Sequence, residues 1–153
     1  MEIDFSINDE QLRSVFSNFE RPTAPLMRAI AQYLDGEART AIKKETSPDG
    51  SKFAALSPKY AARKAKDKKT RRNGILQQTG QLLDSIAVES TNDTAILKTN
   101  RPVGGYDLGS IHQQGAPRRN IPARPFFPIT DSGDLLPDAV EEIQGLISDY
   151  FSL

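Results

Sequence analysis

Seven side chains recurring at spacings of three and four, Leu26, Ile30, Tyr33, Leu34, Ala38, Ala41 and Ile42, constrain this chain more than any other feature. They fall on one side of a helix, and an apolar stripe of that length must be covered. The spacing predicts a helix over roughly Pro25 to Glu45, with Thr23 as its cap and Pro25 in its first turn. Candidate covers stand on either side. Met1, Ile3, Phe5 and Ile7 alternate with polar residues, the period of a half-buried strand. Ala87–Ser90 and Thr94–Thr99 flank Asn92-Asp93 and read as a hairpin.

The remaining elements are shorter. Asn8 or Asp9 caps a short helix bearing Leu12, Val15, Phe16 and Phe19, which Arg21-Pro22-Thr23 breaks. Thr46–Gly50 is a turn, and Ser57-Pro58 caps a helix that runs into basic sequence. Thr79-Gly80 precedes a short helix carrying Leu82, Leu83 and Ile86. Gly104-Gly105 breaks the chain, and Tyr106, Leu108 and Ile111 form a short helical turn. Leu136, Val140, Ile143, Leu146, Ile147 and Tyr150 mark a last amphipathic helix with Pro137 near its start. Strands and helices do not alternate regularly. The expectation is therefore α+β: a small antiparallel sheet of three to four strands with the two longer helices on one face, in a single domain over 1–153.

Composition removes several chemistries. The chain has no cysteine and one histidine, which excludes cysteine nucleophiles, disulfide frameworks and thiolate or histidine-rich metal sites. No apolar run nears the roughly 20 residues that span a bilayer, and the start does not resemble a signal peptide. We expect a cytosolic product with no membrane partner and no cofactor. Net charge is zero, but it is segregated. Lys59, Arg63, Lys64, Lys66, Lys68, Lys69, Arg71 and Arg72 face Asp67 alone, whereas from Asp131 onward there are acids and no lysine or arginine. Such segregation serves nucleic-acid binding or head-to-tail self-association.

No enzyme constellation is present. His112 has only Asp107 as a carboxylate near in sequence, and there is no nucleophile elbow, so a structural or interfacial role is the better reading. Gly104, Gly105 and Gly109 lack the spacing of a dinucleotide or phosphate loop. Glu141-Glu142 and Asp49 fall on helix surfaces and turns rather than as a hydrolytic pair. Two segments remain. Lys59 to Arg72 is a solvated, partner-facing or DNA-facing stretch, with a mobile basic loop expected at 66–74 and only Tyr60 for base stacking. Ala116 to Pro128 carries Pro117, Pro122, Pro125 and Pro128, together with Arg118, Arg119, Arg124, Phe126 and Phe127. Stiff backbone, arginines and aromatics suit a grip on a neighbouring subunit. The alternative is a loop that puts one or both phenylalanines in the core.

Taken in order, several of these segments resemble the phage virion morphogenesis family, the tail-completion proteins of Mu-like and P2-like phages. They are Ser47-Pro48-Asp49-Gly50 with Phe53 and Leu56-Ser57, then Ile75-Leu76, Thr79-Gly80-Gln81-Leu82 and Ser85-Ile86, then Ile111-His112-Gln113-Gln114-Gly115, and finally Ile121-Pro122-Ala123-Arg124-Pro125-Phe126. Phe53 stands where many relatives carry tryptophan, and Gly105–Ser110 is a loose version of the segment leading to the histidine. The resemblance implies a structural virion protein that completes the tail or joins it to the head. It implies a homo-oligomeric ring of about six copies with two different complementary faces. The expected partners are tail-tube or neck proteins and passing DNA, in the host cytoplasm and then in the virion. On this reading the arm, with His112, supplies subunit contacts, and alanine at Arg124 and Phe126 weakens assembly without unfolding the monomer. The alternative is a nucleic-acid-binding module built on 59–72.

Overall fold

A computed structural model describes residues 1–6, 22–70, 72 and 74–152. The short helix expected around Leu12 to Phe19, Ile7 and Arg71 lie outside the described residues. The elements run β1 (Glu2–Ser6), α1 (Ala24–Lys44), α2 (Pro58–Lys66), α3 (Gln81–Ser85), β2 (Ile86–Ser90), β3 (Thr94–Thr99), β4 (Pro102–Val103), β5 (Tyr106–Asp107), α4 (Leu108–Gln114) and α5 (Pro137–Phe151).

The predicted stripe is the spine of the fold. Leu26, Met27, Ile30, Ala31, Leu34, Ala38, Ala41 and Ile42 are all buried along α1. Thr23 stands at the N-cap position but makes no cap hydrogen bond. Its hydroxyl instead donates to the Asn92 carbonyl, tying the helix start to the β2–β3 turn. Further along, Arg39 makes an ion pair with Asp35 and donates to the carbonyls of Leu83 and Ile86, at 3.0 and 2.9 Å. That anchors α1 where β2 begins.

The sheet is antiparallel, in the order β1-β3-β2. Leu97 is the centre of its register, opposite Ile3 on one side and Val88 on the other. Ala95, Leu97 and Thr99 are buried and alternate with less buried neighbours, the period of a strand covered on one face. α1 packs against β2 and β3, and α5 packs on α1. The α+β reading therefore holds, with a three-stranded sheet. A separate ribbon pairs β4 with β5. There the sequence reading is corrected: Tyr106 is in a strand, and the helix begins only at Leu108. Gly104 and Gly105 both take positive φ, 58° and 82°. That closes a hairpin whose arms are too short to show periodicity.

One core joins α1, the sheet, α3, α5 and two residues from the proline-rich arm. Phe126 and Phe127 are wholly buried, with rings edge to face at 4.9 Å. Val140, expected on the apolar side of α5, is exposed, and Ala139, Ile143 and Phe151 are the buried residues of that helix.

Candidate functional site

The family-like segments, far apart in sequence, meet around one cleft of about 410 Å³. Its floor is apolar, with Leu56, Leu76, Leu82, Leu108 and Ile121, and its walls carry Tyr60, Lys64, His112, Arg119 and Arg124. Ser57 accepts from the Tyr60 amide at 3.3 Å and so starts α2 as expected, with Pro58 in the first turn. α2 is held over the loop that follows it. The Lys64 ammonium donates to the Gly74 carbonyl at 2.5 Å, and the Tyr60 hydroxyl donates to Gln78 at 3.1 Å.

The opposite wall is a clamp made from α4 and the proline-rich arm. Among the described residues the arm pairs with no strand beyond its own Ala116–Ile121 bridge, so its other amides need other acceptors. The Gln113 side-chain oxygen accepts from the amides of both Phe126 and Phe127, each at 3.0 Å. The His112 carbonyl accepts from the Arg124 amide at 2.7 Å. The Arg124 guanidinium in turn donates to the carbonyls of Ala54 and Ala55, at 2.7 and 3.2 Å. Gly115 makes the crossing possible. Its φ is +76°, and a Cβ there would stand 2.7 Å from the Ala123 amide nitrogen. Beyond it, Ala116 and Ile121 pair and close the turn that presents Arg118 and Arg119.

The electrostatics of this wall do not favour proton transfer. Burial, reinforced by the neighbouring Arg124 charge, pushes the His112 imidazole down to about 4. Its Nδ1 is buried without a hydrogen-bond partner. Asp107 does not serve it. That carboxylate receives the N-terminal ammonium at 2.9 Å and the Ser110 amide and hydroxyl, both at 2.8 Å. Burial works to raise its pKa, but these hydrogen bonds outweigh it and hold the carboxyl below its ordinary value. Burial likewise lowers the Lys64 ammonium, with Glu45 opposing. Among the described residues, no group of three or more His, Cys, Asp or Glu side chains is placed to hold a metal, and no helix is long and apolar enough to cross a membrane.

The structure divides the candidate residues. Arg118 and Arg119 are exposed, with the Arg119 guanidinium 4.6 Å from the Tyr106 ring centroid. Arg124, Phe126 and Phe127 are buried in their own chain. This differs from the expected gripping arm: Phe126 and Phe127 pack in the chain's own core, while Arg124, though buried, lines the cleft. His112 stays on the cleft wall. Of the basic stretch, Lys59, Arg63, Lys66, Lys68, Lys69 and Arg72 are exposed, and Lys64 is buried. The described part of the 66–74 loop is hydrogen-bonded to its own helix, with the Thr70 hydroxyl donating to the Lys64 carbonyl at 2.7 Å. Gln113 and Gln77 escaped the sequence reading as functional positions. Gln77 donates to the Ile42 carbonyl at 3.0 Å and joins the cleft floor to the end of α1. A buried amide beside a glycine, as in Gln113-Gln114-Gly115, is a signal only in retrospect.

The model of the phage virion morphogenesis family matches residues 4–152. The chain belongs to that family. The match covers both walls of the cleft and every element described above except the first two residues of β1, so the clamp lies within the family's extent. Among its relatives, this family member is similar to Mu-like prophage FluMu G protein 2 of Haemophilus influenzae. The two are 32% identical over 162 residues, which cover 99% of this chain and 97% of the relative. No solved structure gives a significant match. Family membership and this relative support a structural role in a phage virion.

Proposed function

We propose that this family member is a non-catalytic component that completes the phage tail or joins it to the head, working as a ring of about six copies at the end of the tail tube. It is made in the host cytoplasm, enters the virion, contacts tail-tube or neck proteins, and needs no cofactor. The observation that carries the non-catalytic part is the clamp. Gln113 and Arg124, in the segments that mark the family, bind backbone of their own chain. The lone histidine beside them is neutral at physiological pH and, among the described residues, has no carboxylate partner. Such residues build a framework rather than move protons. The similarity to a Mu-like prophage protein along nearly the whole chain supports the virion setting.

Deletion of the gene from an inducible phage tests this. The expected particles are filled heads and separate or irregular tails, with infectivity restored by the gene in trans. Complete, infectious particles from the deletion would remove the proposal. A second reading has one observation in its favour: Lys59, Arg63, Lys66, Lys68, Lys69 and Arg72 are exposed together. A nucleic-acid module on this stretch predicts duplex binding whose affinity falls steeply with salt, and retention of that binding at near-physiological salt would favour it.

A further inference from the structure

Among the described residues, the folded chain carries an acidic surface on α5 and a basic one on α2 and the turn after Gly115. On α5, Asp138, Glu141, Glu142 and Asp149 are exposed, and no lysine or arginine follows Asp131. The field of this face reaches α1. The Tyr33 hydroxyl is pushed up to about 12, first by burial and then by Glu37, Glu142 and Asp138. The basic rim of the cleft lies toward the other end of α1. There Glu45 accepts from the Ile75 amide at 2.7 Å, beside Lys64. Tyr33 and Glu45 are separated by roughly 18 Å of helix, from the rise of 1.5 Å per residue. Among the described residues, no ion pair joins the acids of α5 or the exposed cations Lys59, Arg63 and Arg119 to another side chain. Each surface also offers apolar groups beside its charges. Exposed Arg119 lines the cleft beside apolar Leu56, Leu108 and Ile121, Lys59 and Arg63 are exposed on α2, whose Tyr60 also lines it, and Val140 is exposed on α5 beside the acids.

The geometry points to a head-to-tail contact between copies of this chain: the outer face of α5, with Glu141, Glu142 and Val140, seats on the basic rim and apolar floor of the next copy's cleft. A closed ring needs two different, mutually complementary faces on each subunit, and these are two such faces. The inference rests on the ring reading above and names its interface. It also gives the exposed cations a protein partner in place of DNA.

The test uses two full-length variants, E141K/E142K and K59E/R63E. All four positions are exposed on helices, and Arg63 also stacks over the Tyr60 ring at 5.0 Å; both variants stay folded, which melts run beside the association measurements check. Sedimentation at low salt follows mass against concentration, with duplex DNA binding measured alongside. Wild type self-associates, and added salt weakens it. Each variant alone associates roughly tenfold more weakly or worse, because like charges then face each other. An equimolar mixture recovers, because each reversed face finds an opposite face on the other variant. A wild type monomeric at every concentration, a variant that associates like wild type, or a mixture that stays apart overturns the contact. If a discrete wild-type oligomer survives both reversals, the ring stands and this interface falls. If both reversals act as expected but wild-type mass grows without limit, the interface stands and ring closure falls. If K59E/R63E loses DNA binding while still associating, the cations belong to nucleic acid and the contact is overturned.

Discussion

Gln113 stands in for a strand that the arm does not have. Both phenylalanine amides end on its single side-chain oxygen, in a buried place where water offers no substitute. Gln113→Leu strands two buried donors, and the expected loss is about 2–4 kcal/mol, read from the urea midpoint. Phe126→Ala, which as an interface change would leave the monomer intact, is expected to cost about 3–5 kcal/mol through the cavity it leaves. A circular dichroism melt separates the two ideas directly. His112 sets a pH dependence. Its folded-state value, about 4, lies below the ordinary 6.5. The unfolded chain therefore binds the proton more readily, and the fold is favoured fully only above pH 6.5. Stability falls as pH drops from there toward 4, by roughly 1–3 kcal/mol. His112→Gln should flatten that part of the melting-temperature profile, and an unchanged slope would contradict the assignment.

Elements are joined here by close approaches as much as by periodic faces. Where α4 meets the sheet, a Cβ on Gly109 would lie 2.2 Å from the Thr99 hydroxyl oxygen, so the helix start sits directly on β3. Where α4 meets the arm, Gly115 combines positive φ with contact to Ala123 backbone. Gly50 shares the positive φ, +88°, but a Cβ there meets nothing within 4 Å. Gly50→Ala is thus expected to cost about 1 kcal/mol from backbone strain alone, and Gly115→Ala clearly more. Paired thermal melts check the ranking. This difference was not legible in the sequence, where both glycines read as breaks. By contrast α1, the β2–β3 hairpin and α5 were legible, because each is long enough to show a period. The β4–β5 ribbon, two residues on each side, was not.

For the whole molecule, the arrangement of charge and core limits how the parts can be separated. α5 bears the acidic face outward and Ile143 and Phe151 inward. Truncation before Pro137 would uncover the part of the core that Ile143 and Phe151 cover, as well as delete the acids of α5. Such a chain should lose its sharp near-ultraviolet signals and bind hydrophobic dyes, whereas surface charge reversals on α5 should do neither. Assembly is therefore better probed by charge than by deletion.

Hydrophobic period, turn residues and capping pairs act over a few neighbours, and they determined the α+β class, the long helix, the hairpin, the last helix and the order of the family-like segments. The aperiodic stretches took their roles from contacts across the fold. Arg124 reaches Ala54 and Ala55, Gln113 reaches Phe126 and Phe127, and Lys64 folds onto Gly74. An arginine, an aromatic pair or a lysine has the same local sequence whether it faces a neighbour, solvent or its own core. Only the long-range packing that supplies or withholds partners, and so sets the cost of burying each group, decides among them.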